Sequence, residues 1–242
     1  MASVDIRSAA GLRVEDRVEA APPGLVAAMV GFEERYGGLW NPVVGANGME
    51  HGLDGEPIGH CGPLGPAFPG ILDGDWTWPV DVLIDGRTAM GPGRWAYRVI
   101  DASVDQRLER HALLVTVSGW FHRTFTSCTA SGVVPVMDER QLPLRVPEAS
   151  GPAERWWLDD DAGVAVQATL SAWPPERDVW TWRYFARTAV RAADANPTIF
   201  RATVHETVPA LWCGICSGPV VPGRTCLSPH SSGTVGKQRP DH

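Results

Sequence analysis

The residues best suited to chemistry lie near the C-terminus, where Cys213-Gly214-Ile215-Cys216 is followed by Cys226 and His230, a C-x2-C-x9-C-x3-H spacing. Zinc takes four tetrahedral Cys or His ligands, and a C-x2-C knuckle puts two thiolates on one side of the ion. Gly214 and Gly218 permit tight turns, and Pro222-Gly223 can turn the chain back to bring Cys226 and His230 to the site. The segment has almost no apolar residues of its own, so one structural zinc would supply the folding energy that a core cannot. The competing reading is an irregular tail with incidental cysteines. With four protein ligands no coordination position stays open, which argues against a catalytic zinc. Trp212-Cys213-Gly214-Ile215-Cys216 also resembles a thioredoxin-like redox motif. That motif needs a long helix and more sheet after it, and the residues that follow are few and rich in chain breakers.

Other constellations are weaker. A zinc deaminase needs H-x-E and a later P-C-x-x-C, whereas here His205 abuts Glu206 and Trp212 precedes Cys213. Asp159-Asp160-Asp161 lacks the spaced ligands of a calcium loop and reads as a solvated hairpin tip. No nucleophile elbow, H-E-x-x-H or phosphate-binding loop occurs. His51 and His60 flank Cys61 in a Gly-rich stretch, a nucleophile–base arrangement only if that stretch folds onto itself. His111 reads as a core residue of a helix, and His122 carries no argument.

The elements that must position these groups follow from pattern. Leu25–Tyr36 reads as a helix stopped by Gly37-Gly38. Residues 39–79, rich in Gly and Pro, read as a long irregular stretch over a sheet. Val80–Asp85 and Arg87–Met90 flank an Asp85-Gly86 hairpin signal, and Trp95–Ile100 is a further strand candidate. Asp101 or Ser103 can cap a helix over Val104–Val117. Residues 119–152 read as a linker. Trp156–Leu158 and Val164–Leu170 form a second hairpin, and Asp178 caps a helix over Val179–Ala193. The order of elements has no repeating βα rhythm, which indicates an α+β fold. The expected organisation is a flexible N-terminus (1–20), an antiparallel sheet packed with helices (21–118), the linker (119–152), a smaller hairpin-plus-helix region (153–205) and an irregular Cys-containing tail (206–242).

Two passages resemble the SUKH superfamily of cell-wall-synthesis regulators and bacterial immunity proteins. One is Phe32-Glu33-Glu34-Arg35-Tyr36-Gly37-Gly38-Leu39, a helix ending in an aromatic residue and Gly-Gly. The other is Val82-Leu83-Ile84-Asp85-Gly86-Arg87, continued by Ala102-Ser103-Val104-Asp105-Gln106-Arg107-Leu108-Glu109. The resemblance covers about residues 21–118 and implies an α+β fold that binds a partner protein, often a toxin, without catalysis. Glu33, Glu34, Asp81, Asp85, Asp101 and Asp105 would then face a basic toxin domain.

Composition bounds the function. A formal net charge of −7 argues against nucleic acid, whose phosphates require a basic stripe. No run reaches the roughly 18 apolar residues of a membrane span, and no signal-type segment opens the sequence, so the cytoplasm is the expected compartment. Five Cys, an odd number, argue against a disulfide framework. Eleven Trp supply either core or interface, and Trp76 and Trp78 beside the first hairpin are candidate partner contacts. The reading that results is a non-catalytic protein-binding module. The alternative is a metal- or thiol-dependent enzyme using the C-terminal Cys cluster.

Overall fold

The computed structural model describes residues 6–41, 51–73, 80–91, 97–130, 133–168, 177–195, 204–206, 211–213 and 218–220. The chain is α+β, with two mainly antiparallel sheets. The first sheet is built from β1 (Gly11–Val14), β2 (Arg17–Ala20), β3 (Leu39–Asn41), β4 (His51–Leu53), β5 (Ile58–Gly62), β6 (Gly65–Asp73), β7 (Val80–Leu83), β8 (Thr88–Met90) and β9 (Arg98–Asp101). Its main path runs β2-β1-β5-β6-β7-β8-β9, with β4 on the far end of β6 and β3 on β4. The β1–β5 pair is parallel. Two helices accompany this sheet, α2 (Pro23–Tyr36) and α3 (Val104–Val117), and a short α1 (Ile6–Ala9) precedes it. None of the described helices is long and apolar enough to cross a membrane.

Both long helices match the sequence pattern. Pro22 and Pro23 open α2, where a missing N–H costs nothing. Ser103 caps α3 by accepting from the Gln106 N–H at 3.1 Å. Helix α2 buries Leu25, Met29 and Phe32 against the first sheet. Two glycines make that approach close. A Cβ on Gly59 would stand 2.9 Å from Leu25, and one on Gly70 would stand 3.1 Å from Phe32. Of residues 39–79, which read as an irregular stretch, the described part therefore contains strands β3–β6, with several of its glycines in them and a register shift at Pro69/Ile71 absorbing a proline. The N-terminal residues expected to be loose likewise hold α1, β1 and β2.

The second sheet corrects two expectations. Residues 119–152, read as a linker, contain β10 (Phe121–Ala130), an interior strand. Its Thr-rich alternation suits a pleated strand. The expected helix over Val179–Ala193 is instead β13 (Arg177–Ala186) followed by a short α4 (Ala189–Ala193). Trp180 and Trp182 stand two residues apart on one face, donating their indole N–H groups to Thr129 Oγ1 (3.0 Å) and Ser127 Oγ (2.7 Å) on β10. The expected hairpin of β11 (Glu154–Leu158) and β12 (Ala162–Ala168) is present, and β14 (Val204–Glu206), β15 (Leu211–Cys213) and β16 (Gly218–Val220) complete the sheet. One continuous apolar cluster runs from Leu25, Met29 and Phe32 through Phe68 and Val82 to Trp157, Trp180 and Trp182, so both sheets share it.

Candidate functional site

The first sheet has two unequal faces. One is covered by α2. On the other, strand register sets Arg13 beside His60, His60 beside Ala67 and Ala67 beside Leu83, since paired residues share a face. A small cluster of Ala67, Leu83 and Ala89 lies there beneath Tyr97 and Val99 and includes no helical residue. At the far end of β6 the same face carries Trp40, paired with Gly52. Trp40 is 55% exposed, and a Cβ on Gly52 would come within 3.1 Å of its ring. The indole therefore lies on the backbone of β4 with much of its surface open to solvent.

Within this face sits a polar triad. Asp81 is only 3% exposed, and its Oδ2 meets His60 Nε2 at 3.1 Å and accepts from Tyr97 Oη at 2.7 Å. Its Oδ1 is buried without a hydrogen-bond partner. The hydrogen bond to Asp81 raises the His60 pKa above its usual value, against burial and the nearby Arg13 charge. Burial and the Asp81 charge push the Tyr97 phenol far up, so it remains a donor. His60 is 37% exposed at its side chain and can exchange a proton with solvent near neutral pH. Strand alternation turns Cys61 to the opposite face, so its thiol does not pair with the His60 imidazole, and the side chain of His51 lies outside the described residues.

A second polar cluster is sealed. Asp101, 0% exposed, accepts from Thr88 Oγ1 (2.5 Å), Arg107 Nη1 (3.1 Å) and Arg110 Nη1 (2.6 Å). Arg110 Nε also stands 3.2 Å from Glu154 Oε2, and Trp156 Nε1 donates to Glu154 Oε1 at 2.6 Å. The cluster joins β8, β9, α3 and β11, and so ties the two sheets through one helix. Burial works to raise Asp101, but Arg110, Arg107 and Thr88 outweigh it and hold the carboxyl low. At Glu154 burial wins over Arg110 and raises the carboxyl. A cavity of about 10 Å³ lies between Ile100, Arg107, Arg110 and Glu154, about enough for one water. This is a structural clamp with no room for a substrate.

No family model matches the chain, and neither a curated protein nor a solved structure matches it. Function has to be read from its own side chains.

The six acidic residues expected to face a partner do not form one surface. Asp81 and Asp101 are buried, because each is needed by donors inside the fold. Asp85 is held by its neighbour Arg87 at 2.7 Å, and Asp105 by Arg35 (2.7 Å) and Tyr36 (2.8 Å). Glu33 is half-buried at the end of α2, and Glu34 is exposed, 3.8 Å from Arg7. Trp76, Trp78, Cys216, Cys226 and His230 lie outside the described residues. Cys213 ends β15, where it pairs with Gly218 of β16. Among the described residues no group of three or more His, Cys, Asp or Glu is placed to hold a metal. The Asp159 carboxylate accepts from the N–H groups of Asp161 (2.8 Å) and Ala162 (2.6 Å), as a hairpin tip does. Sequence reasoning passed over Trp40 and the His60–Asp81 pair. The available signal was Asp81 itself, a lone charge between Val80 and Val82.

Proposed function

We propose that the chain is a non-catalytic protein-binding module of the immunity type, which binds and neutralises a toxin domain through the face of its first sheet that no described helix covers. Trp40 carries this reading. A half-exposed indole lying on Gly52 is held in place before binding, so little side-chain entropy is lost when a partner covers it. Tryptophan is also among the residues most enriched at binding hot spots. The net charge of −7 favours encounter with a basic partner. Arg13 and His60 lie at the opposite end of β6 from Trp40, so a basic surface seated on the indole is not centred on those cations. The cytoplasm is the compartment in which this reading places the protein.

The test is calorimetric titration of purified toxin domains encoded beside this chain with the wild type and with Trp40→Ala. The expected result is a complex weakened at least about thirty-fold by the substitution, with an unchanged far-UV spectrum. Equal binding by the variant would remove Trp40 from the interface, and a panel of such domains that all fail to bind the wild type would overturn the reading.

A second reading, a metal- or thiol-dependent enzyme using Cys213, Cys216, Cys226 and His230, draws support from the hairpin register of Cys213 with Gly218, since C-x2-C zinc knuckles sit at such turns. The same spacing suits one structural zinc that steadies the tail. Elemental analysis should then find one zinc per full-length chain and none in a chain cut at residue 206; no zinc in either would remove the basis for both.

A further inference from the structure

Strand β2 is an end strand of the first sheet, and among the described residues β1 is its only strand neighbour. All four of its residues, Arg17-Val18-Glu19-Ala20, are exposed, so nothing described covers its outer edge. Edge strands are usually blunted by charge, proline, a bulge or short length; β2 is short and carries Arg17 and Glu19, but these charges are of opposite sign and neither a proline nor a bulge interrupts the strand. The hairpin joining β1 to β2 has a two-residue turn, Glu15-Asp16, with Glu15 at φ 55° and Val14 paired with Arg17. The turn bond directs the Arg17 amide toward β1. Alternation then directs the N–H and C=O of Val18 outward. Val18 is 57% exposed.

The outward edge is self-complementary. Two copies placed antiparallel about a twofold axis at Val18 would exchange both backbone hydrogen bonds between the two Val18 residues. The same register sets Arg17 of each copy opposite Glu19 of the other, at non-hydrogen-bonded positions where side chains come closest. Among the described residues neither Arg17 nor Glu19 has an ion-pair partner. We propose that β2 is a homodimerisation edge, joining the first sheets of two copies through a Val18–Val18 pair flanked by two Arg17–Glu19 pairs. The symmetry is isologous and closed, so pairing stops at two. Four residues a side make a small interface, so the dimer is weak and its population rises with concentration.

Sedimentation equilibrium of the full chain tests this with Arg17→Glu, Glu19→Arg and an equimolar mixture of the two. The wild type is expected to show a mass that climbs toward twice the monomer as concentration rises. Each single variant sets like charges opposite each other at both flanks and should dissociate at least about tenfold more readily. The mixture restores opposite charges at both flanks and should dimerise as the wild type does. A wild type that stays monomeric up to about 1 mM would overturn the proposal. So would a dimer indifferent to either variant, or a mixture that fails to recover it. Both side chains are exposed and face Val14 and Leu12 on β1, and matching thermal melts of the variants would establish that the fold is kept.

Discussion

Asp81 and Asp101 are both buried aspartates of the first sheet, yet they do opposite things. Asp101 meets two guanidiniums and a hydroxyl inside a closed clamp, and its charge is fixed. Asp81 meets a histidine and a tyrosine, one oxygen is left unpartnered, and the histidine reaches solvent. Burial alone therefore does not say whether a carboxylate is structural or responsive. The partner decides: Arg never releases its proton, and His does so near neutrality.

Replacing each aspartate by asparagine should expose the difference. Asp101→Asn removes the carboxylate that Arg107 and Arg110 share inside the fold, leaving Glu154 beside Arg110, and should cost about 3–5 kcal/mol in urea unfolding. A loss below about 1 kcal/mol would mean that the clamp does not hold the sheets together.

The next largest effect comes from His122 on β10. Burial first, and then Arg183, push its pKa down to about 4. Its ordinary value is 6.5 and the folded value is lower, so the unfolded chain takes up the proton first. The associated stability is present above pH 6.5 and is lost as pH falls through about 4. An effect on the order of 2 kcal/mol remains after allowing for its partial exposure, and a His122→Phe variant should lack that part of the acid sensitivity.

Asp81→Asn should cost less, about 1–2 kcal/mol, because a neutral amide still accepts from Tyr97. It should also lower the His60 pKa, read from the imidazole proton shifts by NMR. The sign is opposite to that of His122. The His60 pKa is raised in the folded state, so the stability from its pairing with Asp81 is complete below pH 6.5 and fades as pH rises through the folded value. An unchanged His60 titration in the variant would break the contrast with Asp101. The smallest effect is expected from Tyr97→Phe, about 1 kcal/mol for one lost hydrogen bond, measured by thermal melting.

Legibility of the fold varied with the kind of signal. The helices Pro23–Tyr36 and Val104–Val117 and both hairpins followed from local caps, turns and periodicity. Strand β13 reads as a helix in sequence because Asp178 is an N-cap candidate, yet Trp180, Trp182 and Tyr184 follow the two-residue period of a strand. Strand β10 looked like a linker because its Thr and Ser residues are polar, and their partners, the indoles of β13, are distant in sequence. The glycines of residues 39–79 looked like loop for the same reason: only the packed helix reveals why Gly59 and Gly70 lack side chains. At the site, Asp81 and Asp101 read as surface charge because nothing local identifies the histidine or arginines that claim them.

The parallel pairing of β1 with β5 bears on how the chain is made. Synthesis delivers the β1–β2 hairpin ahead of the strand that seats it, Ile58–Gly62, which emerges only after α2 and the strands up to β4 have been made. Until then β1 and β2 have only each other, and an isolated hairpin is marginally stable in water. The hairpin is thus made before the strand that must place it, and for that interval both of its edges are open to whatever the nascent chain meets.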